Sequence, residues 1–312
     1  MRFILCGKND AAVASLEYLV EKGDEIWAIG VAADDGRDGW QRSFRGAAER
    51  LGSRSEVRFD QPRRINDDAF IRRLHDFGPV ALISIQYDQI LKGNLFRGIG
   101  CPCLNLHFAL LPRHRGVAPI AWAVFSGDAE AGVTLHHMVE GIDAGDLIAR
   151  KSIPVGPEDT ARDVYDGVSA AAAALFRESY PFTPGLLARR VAQDEGAAVY
   201  HRAGDFDFSK RRIEWGRPAR EIHRWIRAMI FPPMQWPETF LGGRALRVTR
   251  IGGAIGPAAA ADPGTVVASS PEGIDVEAAG GVIRIAGLED GSRSHDAPAG
   301  EGIPIAVGDR LA

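Results

Sequence analysis

Along the first two-thirds of the chain, short apolar runs alternate with stretches in which apolar residues recur at the three-to-four-residue period of a helix. Residues 2–6, 25–31, 80–85 (VALISI), 103–106 and 133–138 are of the first kind. Their length and the turns that bound them predict strands, with 80–85 buried on both sides. Residues 11–21, 44–51 and 70–77 carry helical spacing. A longer helix is predicted over 160–180, with Asp159 or Thr160 as its cap and an alanine run at 171–174. Such alternation predicts an α/β fold, a mostly parallel sheet covered on both faces. Ligands of such sheets bind beyond the carboxyl ends of the strands, which directs attention to the loops after Ile85, Leu104 and Met138.

From about Thr239 the pattern changes to short β-like segments, RALRVTRI, TVVAS, GIDVEAA and GVIRIAGL, separated by Gly, Pro and Ala. Their regular spacing predicts a small barrel or sandwich, with residues 257–263 as an exposed loop. The expected organisation is an α/β domain over 1–197, a connecting segment rich in Arg, Trp and Phe over 198–238, and a β domain over 239–312. No internal repeat is visible.

Composition narrows the class. With 312 residues, 46% hydrophobic and 25% charged, the chain can build two globular domains without disulfides. A net charge of −4 predicts no general affinity for nucleic acid or an anionic membrane. The N-terminus lacks the apolar run of a signal peptide and no stretch of about twenty apolar residues occurs, so the expected location is cytoplasmic. Cys6, Cys101 and Cys103 give neither an even disulfide framework nor a zinc spacing and are expected to be structural thiols.

Two constellations carry candidate chemistry. In Asn105-Leu106-His107, strand alternation puts Asn105 and His107 on one side. In HHMVEGIDAGD, Gly141 and Gly145 bracket Asp143 in a sharp loop. Each has a bland reading: a histidine satisfied in the core, and an acid bonding its own turn. His107, His136, His137 and Asp143 could also be imagined as metal ligands; that reading is the weaker one, and no metal is expected.

The order NLH, LLPRHRG with APIAW, GDAEAGVTLHHM and GIDAGD, long and gapless, resembles the folate-dependent formyltransferase family over about residues 1–190. That family includes methionyl-tRNA formyltransferases and N-formyltransferases of nucleotide-linked amino sugars. The resemblance implies a Rossmann-like catalytic domain followed by a small OB-like barrel, and 10-formyltetrahydrofolate as co-substrate. It implies Asn105, His107 and Asp143 as the catalytic trio, and the chemistry suits those types. An amine attacking the formyl carbon creates an oxyanion that Asn105's amide can stabilise. His107 can accept the amine's proton or, when protonated, stabilise the oxyanion, and Asp143 can orient the imidazole, raise its basicity and help relay a proton toward the folate nitrogen. The resemblance also places the folate on Gln89, Ile90 and Leu91, and on Val139, Glu140, Gly141 and Ile142. It departs at Val117, where the nearest sugar-modifying relatives carry arginine; Arg115 is the nearest surviving candidate for substrate contact.

For the acceptor, the resemblance offers a macromolecule, charged tRNA, or a small amine. The tRNA enzymes carry a basic Gly-Arg-Gly-Lys-Lys-like insertion where this chain has VAADDGRDGWQRSFRG, with three Asp. Residues 251–312 hold nine acids against Arg284, Arg293 and Arg310, the wrong sign for a phosphate backbone. APIAW, TLHHMV and DAG look closer to enzymes formylating UDP-linked amino-arabinose. The expected partner is therefore a small amine, a nucleotide sugar, rather than tRNA; a homodimer is allowed. Arg220, Arg224 and Arg227 recur at helical spacing, and Arg224 and Arg227 are candidates to clamp a diphosphate, against an ion-paired helix face as the alternative. Hydrolysis of the formyl donor, or a non-catalytic folate-binding module, are the readings from other classes.

Overall fold

The computed structural model describes residues 1–290 and 305–312. Of the C-terminal charges counted above, Arg293, Asp296 and Glu301 lie outside the described residues. The chain forms two compact units. The first comprises Met1–Pro119, Ala131–Ile153 and Gly167–Arg202; the second comprises Ile120–Glu130, Pro154–Asp166 and Ala203–Ala312.

In chain order the N-terminal elements are β1 (Arg2–Gly7), α1 (Asn9–Glu21), β2 (Glu25–Gly30), α2 (Phe44–Gly52), β3 (Val57–Asp60), α3 (Asp68–Asp76), β4 (Ala81–Ile85), α4 (Gly93–Gly98) and β5 (Cys103–His107). The two-residue β6 (Arg115–Gly116) and α5 (Pro119–Ser126) precede β7 (Glu130–His137) and β8 (Leu147–Pro154). Then come α6 (Ala161–Ser179), α7 (Pro184–Leu187) and the two-residue β9 (Tyr200–His201). The sheet runs β3-β2-β1-β4-β5-β7-β8, parallel from β3 through β5. The junction of β5 with β7 is antiparallel, pairing Leu104 with His137 and Asn105 with His136.

The elements follow from their sequences. All five residues of β4 are buried, and each Leu or Ile so placed contributes about 1.5–3 kcal/mol relative to exposure. Helix α1 buries Ala12, Val13, Leu16 and Leu19 on one stripe. Ser43 starts α2 by accepting the Gly46 N–H, and Asp67 starts α3 by accepting those of Ala69 and Phe70. The core joins Ile4, Cys6, Trp27 and Leu82 of the strands to Phe70, Ile71 and Leu74 of α3. Burial pushes the thiols of Cys6, Cys101 and Cys103 up, away from metal or redox reactivity. Strands β3 and β8 were not signalled by an apolar run. Both are at sheet edges; β3 is half-exposed and β8 alternates half-buried with exposed positions after Ile148.

The second unit contains α8 (Ala219–Met229) and strands β10 (Glu238–Leu241), β11 (Arg244–Gly256), β12 (Val266–Ser270), β13 (Gly273–Ala278) and β14 (Gly281–Glu289). They form an antiparallel sheet in the order β10-β11-β14-β13-β12. Register shifts in β11 bend it. The chain's last residues bridge both edges: Phe240 and Ala312 exchange backbone hydrogen bonds, while Val266 N–H donates to Asp309. The sheet thereby curls into a small barrel-like form, as the spacing of its segments predicted. Residues 257–263 are largely exposed. Within the stretch read as a connector, α8 sends Ile222 and Ile226 into the core with Leu246, Val276 and Ile285.

Candidate active site

In β5, Leu104 is fully buried, while Asn105, Leu106 and the buried His107 all line a cleft of about 340 Å³. That volume lies within the range of about 300–1,000 Å³ common for small-molecule sites. Because β7 is antiparallel to β5, the loop 138–146 leaves the sheet at the level of Leu104, where Met138 N–H donates to the Cys103 carbonyl. It then folds back toward Asn105. Asp143 adopts φ 52°, the left-handed region a non-glycine residue rarely enters. Gly145 has no alternative, since a Cβ there would sit against the His137 carbonyl oxygen.

This turn brings the Asp143 carboxylate, with only 11% of its side chain exposed, onto four partners. Oδ1 accepts from Asn105 Nδ2 at 3.3 Å and lies 3.5 Å from His136 Nε2, while Oδ2 accepts the Gly116 N–H at 2.9 Å and lies 3.5 Å from His107 Nδ1. His107 Nε2 lies 2.8 Å from the His114 carbonyl oxygen. A carbonyl only accepts, so Nε2 carries the proton and Nδ1 is the basic nitrogen of the neutral ring. The nitrogen able to take a proton therefore faces the Asp143 carboxylate.

Burial lowers the His107 pKa below its ordinary value, opposed by the Asp143 charge and the bond to His114. Burial acts to raise Asp143, but His107, His136 and the Gly116 N–H outweigh it, and the carboxyl sits well below the usual range. Near neutrality the pair is a neutral imidazole beside a carboxylate.

Every residue named above for the folate (Gln89, Ile90, Leu91, Val139, Glu140, Gly141, Ile142) lines the same cleft as Asn105, His107 and Asp143. Gln89 turns its side chain away, accepting from Ile65 N–H and donating to the Pro62 carbonyl, so its backbone remains for a ligand. Glu140 is tied to Arg97 at 2.8 Å. Arg115, in contrast, does not line the cleft. It is buried and donates to Gln193 and Glu195. Arg224 and Arg227 lie on α8 in the second unit. Arg227 is buried, with its donors directed at the Asp159 and Gly156 carbonyls, a structural duty in place of an open clamp. Arg224 makes no ion pair among the described residues and lies against Gly127.

Sequence reasoning missed four participants. His136 donates from Nδ1 to the His137 carbonyl, and its Nε2 lies 3.2 Å from Asn105 Nδ2 as an acceptor. The sequence offers it only as an imaginable metal ligand; its signal is the antiparallel register that sets it opposite Asn105. The Gly116 N–H and the His114 carbonyl are backbone groups with no side-chain signature, and Gln193 is distant in sequence. Among the described residues no three His, Cys, Asp or Glu groups are arranged to hold a metal ion, and no described helix is long and apolar enough to cross a membrane.

Comparison with known proteins adds independent findings. The Formyl transferase family pattern matches residues 37–179, and that of the Formyl transferase, C-terminal domain, matches 208–298. The methionyl-tRNA formyltransferase of Desulforamulus reducens is 30% identical over 296 residues, 94% of this chain and 92% of that protein. That of Myxococcus xanthus is 32% identical over 291 residues, 92% and 90% of the two chains. In fold, the chain matches the crystal structure of an N-formyltransferase from Helicobacter canadensis in complex with folinic acid and dTDP-3-aminofucose. The TM-score is 0.73 at 22% identity, covering 91% of this chain and 98% of that one.

Proposed function

The chain belongs to the folate-dependent formyltransferase family, and from that premise we propose that it moves a formyl group from 10-formyltetrahydrofolate to the amine of a nucleotide-linked amino sugar. Asn105, His107 and Asp143 are the catalytic residues of this reading. The observation that carries the reaction is the neutral His107 with its unprotonated Nδ1 turned to the Asp143 carboxylate at 3.5 Å. His107 Nδ1 accepts the proton of the attacking amine, Asp143 stabilises the imidazolium that results, and the proton passes on to the departing folate nitrogen as its bond to the formyl carbon breaks. Asn105 Nδ2, held by weak bonds of 3.2 and 3.3 Å, is a donor ready to turn to developing negative charge on oxygen.

The cleft suits the donor. Ile90, Val117, Val139, Ile142 and Tyr200 are large apolar side chains, all exposed and all on the cleft's lining. Such a cluster is uncommon on a surface without a ligand and fits the flat rings of a folate. Bound there, 10-formyltetrahydrofolate supplies the formyl group. The loops bearing Gln89, Ile90, Leu91 and Val139, Glu140, Gly141, Ile142 offer backbone groups for the pterin edge.

The sugar-nucleotide acceptor is supported by the loop that precedes α2. Arg42 is paired with Asp10 and Glu17, and Arg45 with Glu49. Asp34 and Asp38 accept from the backbone of that same stretch. Cations neutralised in this way make a poor surface for a phosphate backbone. The fold neighbour whose crystals hold folinic acid and dTDP-3-aminofucose supports the same choice. The second reading, formylation of methionyl-tRNA, draws on the relatives at 30–32% identity that span both parts of this chain. Assaying charged initiator tRNA beside a panel of amino-sugar nucleotides, each with 10-formyltetrahydrofolate, decides between them. Salt-sensitive formylation of tRNA with no sugar turned over reverses the choice.

A further inference from the structure

The loop that carries Asp143 is gripped from outside the cleft by a residue so far without a role. Gln193 is far from the β5 and β7 strand ends in sequence and part of none of the motifs discussed above. Its Nε2 donates to two carbonyls of the Asp143 turn, those of Asp143 and Gly145, at 2.7 Å each. Its Oε1 accepts from Arg115 Nε at 3.0 Å and Arg115 Nη2 at 2.8 Å. The buried Arg115 guanidinium continues to Glu195 at 2.7 and 3.0 Å. All the polar capacity of the Gln193 amide is used, and both carbonyls belong to the short turn that holds Asp143 at φ 52°.

We propose that Gln193 is a positioning residue for the catalytic acid, locked by Arg115 so that the Asp143 carboxylate is presented to His107. The grip has a second hand. Arg115 is followed by Gly116, whose N–H donates to Asp143 Oδ2 at 2.9 Å. One dipeptide thus fixes the carboxylate directly and the backbone carbonyl of the same residue through Gln193. Strand β6 is itself fixed: Arg115 N–H donates to the Val199 carbonyl and Val117 N–H to that of His201. Residues 191–201 therefore tie both catalytic loops together, with Val191 bonded in both directions to Leu147 at the start of β8. A non-glycine residue in the left-handed region lies about 1–2 kcal/mol above its relaxed conformation, so the turn needs outside contacts to persist. Arg115, the candidate for substrate contact, becomes the anchor of this clamp.

The inference rests on the formyl-transfer reading only for its kinetic readout, so the test has two arms. The first needs no substrate: amide hydrogen exchange at Gly116 in the wild type, Gln193→Leu and Gln193→Glu. Leucine removes every polar contact. Glutamate keeps an acceptor for Arg115 but cannot donate to the two carbonyls. In both variants the Gly116 amide should exchange about tenfold faster, the scale of a weakened bond to a charged group, while the Val117 amide is unchanged. An unaltered Gly116 amide in both variants overturns the proposal. The second arm is a double-mutant cycle on kcat. Gln193→Glu should lower kcat about tenfold in the wild type and have little effect in Asp143→Asn, because coupled groups are non-additive. Equal losses in both backgrounds mean that Gln193 acts on stability alone, and overturn it. If the wild type formylates none of the acceptors offered, the acceptor reading fails and the exchange arm still decides on Gln193.

Discussion

The chain contains two polar clusters that the sequence singles out as candidate chemistry: Asn105, His107 and Asp143 from two separate strand-end motifs, and Arg220, Arg224 and Arg227 at helical spacing. At Asn105, His107 and Asp143 the side chains converge on one cleft, held by a weak Asn105–Asp143 bond and by His136, the His114 carbonyl and the Gly116 N–H, and the proton-accepting nitrogen of His107 faces the Asp143 carboxylate without a hydrogen bond. On α8 the regularly spaced arginines have separate tasks: Arg227 is buried on two backbone carbonyls, Arg224 rests against Gly127, and Arg220 is exposed. What separates the clusters is where the donors go. A site keeps reactive capacity unused, whereas a structural arginine directs its capacity into the fold.

The largest effects should come from the first cluster. His107→Asn or Asp143→Asn should lower kcat by about a hundredfold or more, the scale of a lost acid–base or orienting group, while folate affinity changes far less. Steady-state kinetics with a folate-binding titration check this. Near-normal turnover would erase the distinction between the clusters.

The second cluster should respond in stability. Arg227→Ala leaves the Gly156 and Asp159 carbonyls without their partner and removes a buried stem. The expected cost is about 1–3 kcal/mol, read as a lower midpoint in denaturant with unchanged slope. Arg220→Ala, on the exposed face, should remain within about 0.5 kcal/mol of wild type. Equal effects of the two would mean that burial does not separate these arginines.

The unequal legibility of the two clusters has the same origin. Strand β4 is readable as a continuous apolar run buried on both sides, and the pair Asn105/His107 because alternation of period two encodes which face a side chain takes. The barrel-like unit was readable because short strands and glycine turns repeat along it. The reversal at β7 was not, since direction is decided by the chain between β5 and β7 and not by β7's own residues. His136 consequently escaped notice as Asn105's partner. Edge strands β3 and β8 lack apolar runs because one side of each meets water. The Gly116 amide, the His114 carbonyl and the Gln193 clamp depend on residues distant in sequence, and no local period points to them.

Arg224 is the residue of α8 that can still behave like the first cluster. If it serves the diphosphate of the acceptor, Arg224→Ala should raise KM for the sugar nucleotide about tenfold, as for one lost charge-assisted bond, and leave folate KM unchanged. Gly127→Ala offers a second approach, because a Cβ there would collide with the Arg224 guanidinium and displace it. Unchanged KM in both variants would assign all of α8 to structure.

The smallest expected difference is in the pH dependence of stability, and its sign follows from burial. The folded-state pKa of His107 is lowered, so as pH falls the unfolded chain takes up a proton before the folded one does. Stability therefore declines as pH drops through the ordinary histidine value of 6.5, and this decline ends below the folded value. Asp143 is also lowered; the stability it contributes is present above its ordinary value of 3.8 and is lost as pH falls through its folded value. Replacing His107 by Asn removes the first step and, by deleting a partner of Asp143, moves the second to higher pH. One group changes the slope by at most about 1.4 kcal/mol per pH unit. His137 and His223 are lowered by burial too, but they are present in both proteins and cancel in the comparison. Denaturant midpoints between pH 7 and about 4.5 should therefore fall more steeply for the wild type than for His107→Asn. Parallel curves would mean that His107 is not held neutral by burial, and the proton would have to be taken up elsewhere in the cleft.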